Sequence, residues 1–85
     1  MTLDLHERIL RYLLENYLFT EDRNALGVDE SLIGRGIVDS TGILEVVLFI
    51  EEELGVKVHD EDMIPENLDS VNRIAAFVAT KRRSA

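Results

Sequence analysis

Gly36-Ile37-Val38-Asp39-Ser40-Thr41-Gly42-Ile43-Leu44-Glu45-Val46-Val47-Leu48-Phe49-Ile50-Glu51-Glu52-Glu53-Leu54-Gly55 passes from a loop into a helical pattern and out of it again. A glycine-bearing loop ends at Val38, and Asp39-Ser40 supplies the short polar side chains that start helices. Leu44, Val47, Ile50 and Leu54 then recur at helical spacing, and Gly55 stops the helix as a C-terminal glycine does. Ile43, Val46 and Phe49 lie beside that stripe, so the helix is apolar over more than one face. Such a helix is either flanked on two sides by other elements or lines a pocket for an apolar group.

Upstream, Leu5, Ile9, Leu10, Leu13, Leu14, Tyr17 and Leu18 repeat every three or four residues, with Glu7, Arg8, Arg11 and Glu15 opposite. That pattern predicts an amphipathic helix over about 3–18, capped by Thr2 or Asp4. The connection from Phe19 to Val38 is long, and Leu26, Val28, Leu32, Ile33 and Ile37 are the residues expected to pack it down. Downstream, Val56-Lys57-Val58 is a short extended link. Residues 60–64 are expected to make a single turn before Pro65, which cannot continue a helix. A last helix over about 70–81 starts at Asp69 or Ser70, buries Val71, Ile74, Ala75 and Val78, and ends on Lys81-Arg82-Arg83, which suit the negative end of its dipole. Nothing alternates at period two for long enough to make a strand. The expected fold is therefore all-α: a four-helix bundle with three main helices and one short one, in a single domain spanning 1–85.

Composition narrows the function. The 85 residues have a hydrophobic fraction of 46% and a net charge of −8. This is enough for one modest core and rules against disorder. No apolar run approaches the roughly 20 residues of a membrane span, and no signal peptide is discernible, so a cytoplasmic monomer is expected. Between Asp39 and Asp69 there are ten acids and one base, Lys57. Such a surface is repelled by nucleic acid and anionic membranes and attracted to proteins with basic patches, although charge alone is equally well explained as keeping a small protein soluble. Cysteine is absent. Disulfides and thiolate sites are thereby excluded, and any thioester chemistry needs a thiol from outside the sequence.

Ser40 sits at a loop–helix junction among small neighbours, at the positive end of a helix dipole. A phosphate ester on its oxygen would be stabilised there by the unpaired amides of the first turn. An isolated Asp-Ser pair before a helix, however, is ordinarily a cap and nothing more. The wider pattern argues otherwise. Asp39-Ser40, Leu44-Glu45-Val46-Val47, Phe49 through Val56, Asp60-Glu61-Asp62, Pro65 through Val71, Ile74 and Phe77-Val78 together resemble the acyl carrier protein family, essentially from end to end.

The resemblance implies transfer of 4′-phosphopantetheine from coenzyme A onto the Ser40 hydroxyl, with acyl groups then held as thioesters on the terminal thiol. It implies that Asp39 helps engage the phosphopantetheinyl transferase and its metal, and that Thr41 lies at the same attachment site. Glu45, Val46, Glu51, Glu52 and Glu53 would form the face that loading ligases and downstream acyl-transfer enzymes recognise. Ile43, Leu44, Val47, Ile50, Leu68, Ile74 and Phe77 are candidates to line an acyl cleft, although a plain core is the simpler reading for most of them. Two departures from the family pattern stand out. Thr41 replaces an apolar residue and Gly42 replaces a better helix former, so a more polar and looser first turn is expected. Asp39-Ser40-Thr41-Gly42 also resembles a subset of stand-alone bacterial carriers served by dedicated ligases, some of which load amino acids.

Rival functions fit less well. His6 and His59 are the only histidines, and no nucleophile–base pair is discernible, so catalysis is not expected. The acids from Asp60 onward fail as a calcium loop, because Pro65 and Val71 stand where glycine and glutamate are required. The remaining alternative is an acidic helical adaptor that binds a basic partner without any prosthetic group.

Overall fold

The computed structural model describes residues 4–84. Its first helix, α1 (Leu5–Leu13), starts where the Asp4 carboxylate accepts a hydrogen bond from Glu7 N at 2.9 Å. Thr2, the other cap candidate, and Leu3 lie outside the described residues. The helix continues as a wider π-helical stretch, Leu14–Leu18, so the turn content expected to Leu18 is present. It stops at Phe19, whose φ of 53° is left-handed, and Thr20 N donates back to Leu14 O at 3.2 Å. Glycine is the usual occupant of such a position, and a side chain there costs roughly 1–2 kcal/mol.

The long connection is packed down, though by fewer side chains than its sequence suggests. Leu26 and Leu32 are buried and Ile37 is half-buried, but Val28 and Ile33 keep 40% and 47% of their surface exposed. Hydrogen bonds do the rest. Asn72 N donates to Val28 O at 2.9 Å, and its Nδ2 donates to Asp29 Oδ1 at 2.6 Å. Leu32 N donates to Asp69 O at 2.8 Å. A short 3-10 turn, Arg23–Ala25, is tied to α1 by an ion pair between Arg23 and Glu7.

Helix α2 (Ser40–Glu53) runs antiparallel to α1: Tyr17 bonds to its first turn and Arg8 to its last. Tyr12 and Phe49 stack across the two helices with ring centroids 4.0 Å apart. Gly55, at φ 69°, ends the helix as expected. Its last turn holds three glutamates and no base of its own, an unfavourable match to the negative end of the dipole. Arginines from two other helices offset this. Arg8 Nη2 donates to Glu53 O at 2.7 Å, and Arg82 Nη2 donates to Leu54 O at 2.9 Å.

Beyond the link, the structure departs from expectation. Asp60–Asp62 form only a 3-10 turn, and Pro65 opens the short helix α3 (Pro65–Leu68) rather than closing one. The physical reason is that the first position of a helix needs no amide donor and suits proline's fixed φ. Ser70, not Asp69, begins α4 (Val71–Ser84): its Oγ accepts from Arg73 N at 3.0 Å. Ile9, Leu13, Ile50, Val71, Ile74 and Val78 meet in the centre at 0–1% exposure. Each such side chain contributes about 1.5–3 kcal/mol by leaving water. Among the described residues no strand forms, and no helix is long and apolar enough to cross a membrane.

Asp62 ties the 3-10 turn to α4. Its Oδ2 accepts from Lys81 Nζ at 2.9 Å and from His59 N at 3.0 Å. Chiefly through Lys81, and then through the His59 amide, these bonds hold its carboxyl below the ordinary value of 3.8. A depressed carboxyl stabilises the fold above its unfolded value, and that contribution disappears as pH falls through the folded one. Asp62→Asn is therefore expected to lower the melting temperature at neutral pH. Melting curves taken downward from pH 6 should show the gap to the parent chain closing once pH passes below about 4.

Candidate functional site at the head of α2

The cap of α2 is Asp39. Its backbone is extended (φ −104°, ψ −172°), and its Oδ1 accepts from Gly42 N at 2.8 Å. Its carbonyl accepts from Ile43 N at 2.9 Å. Ser40 is thus the first helical residue, exposed, with the capping work done by its neighbour. Thr41 is exposed beside it.

Gly42 corrects the expectation of a loose first turn. It is buried, and its carbonyl accepts from the Tyr17 hydroxyl at 3.2 Å. A methyl group at its Cα would sit 3.0 Å from Val38 Cγ1 and 3.4 Å from both Asp39 Oδ1 and Tyr17 Cε1. Glycine is there because α1 and the incoming loop press against the helix start. Burial pushes the Tyr17 phenol well above the ordinary tyrosine value of 10, and Tyr12, Glu45 and Asp39 add to the shift. Tyr17 therefore stays a neutral donor.

Two grooves flank the junction. On one side Ser40, Ile33, Ile43, Ile64 and Leu68 line an apolar cleft of about 290 Å³, with Met63 and Pro65. On the other, Tyr17, Ile37, Asp39, Thr41 and Glu45 line a more polar one of about 300 Å³. Of the acyl-cleft candidates, only Ile43 and Leu68 reach the groove beside Ser40. Val47, Ile50, Ile74 and Phe77 are core residues, and Leu44, at 55% exposure, stands outside both grooves.

The expected partner face is redrawn as well. Glu45, Glu52 and Glu53 are exposed. Val46 is corrected: at 1% exposure it packs inside. Glu51 is half-buried and holds the link after α2, its Oε2 accepting from Val58 N at 3.0 Å. Leu48, which sequence reasoning missed, is 53% exposed and lies one turn from Leu44. The signal was present in the surplus of apolar residues on α2.

These features define a small helical domain with an accessible serine at a helix head and an acidic face beside it. No protein-family model matches the chain. Two curated relatives, the D-alanyl carrier proteins of Streptococcus suis strains 98HAH33 and 05ZYH33, are each 30% identical to it over 76 residues. The match spans 89% of this chain and 92% of each relative. The chain belongs to the carrier-protein family.

The packing around Gly42 is directly testable. Alanine in an open helix gains about 1 kcal/mol over glycine, whereas overpacking a filled site costs about 1–3 kcal/mol. We expect Gly42→Ala to lower unfolding stability in urea by about 1 kcal/mol. A gain would mean that the first turn is as loose as the sequence alone suggests.

Proposed function

We propose that this chain carries acyl groups on 4′-phosphopantetheine attached through the Ser40 oxygen, and that it is a carrier and not itself an enzyme. The observation that carries the reading is the division of labour at the helix head. Asp39 closes the amide of Gly42, so the Ser40 hydroxyl is not consumed by capping and faces solvent. A phosphodiester at Ser40 gains from the positive end of the α2 dipole. The residues present suit the group: the apolar groove beside Ser40 offers Ile33, Ile43, Ile64 and Leu68 to its carbon chain. The group supplies a terminal thiol that holds cargo as a thioester, which a chain without cysteine lacks.

The residues of this chain have distinct tasks. Asp39 is exposed while it caps, so a phosphopantetheinyl transferase and its metal can reach the carboxylate beside the modified hydroxyl. Leu44 and Leu48, set among Glu45 and Glu52, form an amphipathic face for a loading ligase and for downstream transfer enzymes with basic rims. The relatives' name and the Asp39-Ser40-Thr41-Gly42 run favour an aminoacyl cargo, D-alanine first. A monomeric, cytoplasmic carrier accords with this reading.

The test is to incubate the chain with coenzyme A and a broad-specificity phosphopantetheinyl transferase and record intact mass. The parent chain is expected to gain one phosphopantetheinyl group and Ser40→Ala none. Modification of neither sinks the reading and leaves an adaptor that uses the same α2 face.

A further inference from the structure

Resting on that reading, we propose that Asp69 is a positioning residue that sets the width of the apolar groove beside Ser40. Ile33 is the residue that the long connection contributes to that groove; the others come from α2, α3 and the segment just before α3. Ile33 is 47% exposed, so burial does little to hold it in place. Its own turn is closed by local bonds, Gly36 N donating to Ile33 O and Ile37 N to Leu32 O, each at 3.0 Å, but these hold the turn together without fixing it to α3.

Asp69 supplies what packing does not. Its Oδ1 accepts from Ile33 N at 2.9 Å, and its Oδ2 accepts from Ser31 Oγ at 2.6 Å. Its backbone carbonyl accepts from Leu32 N at 2.8 Å. Three bonds from three consecutive residues thus converge on one side chain and its own carbonyl. Asp69 is in turn fixed to the part of the groove that α3 contributes, because its N donates to Pro65 O at 3.0 Å and it follows Leu68 directly. Pro65 and Leu68 both line the groove. The residue therefore bridges these two parts of the groove, and the carboxylate sets their separation. Asn72 fastens the same connection at Val28 and Asp29, which line no part of the groove. Its loss separates general loosening of the connection from displacement of the groove wall.

The experiment compares isoleucine methyl spectra before and after phosphopantetheinylation, with intact mass confirming the modification, in the parent chain, Asp69→Ala, Asp69→Asn and Asn72→Ala. In the parent, Ile33, Ile43 and Ile64 methyl signals are expected to shift when Ser40 is modified. In Asp69→Ala those shifts should collapse. Amide exchange at Ile33 in the unmodified chain should speed up about fivefold or more, the equivalent of one net hydrogen bond. Asp69→Asn keeps an acceptor for Ile33 N and an amide that can donate to Ser31 Oγ, so it should restore the parent shifts. Asn72→Ala should leave them unchanged. If Asp69→Ala does not fold, Ser31→Ala carries the test, with the same signs at smaller size.

Parent-like shifts in Asp69→Ala, or equal losses in Asp69→Ala and Asn72→Ala, overturn the proposal. So does a parent chain that gains the group by mass while its methyl signals stay still, although attachment at Ser40 would stand. Absence of any mass gain is instead a failure of the carrier reading.

Discussion

The 2.8 Å hydrogen bond from Gly42 N to the Asp39 carboxylate is the contact on which the site depends. A helix start leaves amides without partners, and some side chain has to answer them. Serine at the next position is chemically able to do so. Because Asp39 does it instead, the hydroxyl of Ser40 remains exposed at the positive end of the dipole. The surroundings hold the arrangement in place. Tyr17 presses on Gly42 from the π-helical stretch that continues α1, and Val38 presses from the incoming loop. Any side chain at position 42 would crowd that corner.

A second constraint is charge. The chain places three glutamates at the negative end of α2, where they oppose the helix dipole. Arg8 and Arg82 reach that end from α1 and α4, and Glu51 turns back to bind the amide of Val58. Three helices are joined where α2 would otherwise fray. Glu52 and Glu53 can then remain as exposed surface rather than as a liability of the fold.

Much of this was legible in the sequence because periodicity and helix stops act locally. The α1 stripe, the span of α2 and the glycine stop at position 55 all follow from nearest-neighbour geometry, and so does the placement of Ser40 at a helix head. What sequence reading missed depends on contacts made at a distance. Proline's missing amide reads as a helix stop, whereas Pro65 occupies the start of α3, where no amide donor is needed. Asp69 and Ser70 are equally good caps on paper, and only the docking of Ser31 and Ile33 separates them. Gly42 looks like a weakness until Tyr17 and Val38 are seen against it. Val46 and Leu48 differ little as letters, yet one lies in the core and the other faces water. That difference depends on where α1 and α4 lie against α2, which spacing along one helix does not reveal.

The chain has four serines, at 31, 40, 70 and 84. Ser31 and Ser70 are engaged in hydrogen bonds that hold the loop and start α4. The most direct measurement is fragmentation mass spectrometry of the modified chain, locating the phosphodiester among these hydroxyls. We expect it on the peptide around Asp39-Ser40-Thr41 alone. A phosphodiester on Ser31 or Ser70, or one spread over several serines, would contradict the claim that Asp39 reserves this one oxygen for chemistry.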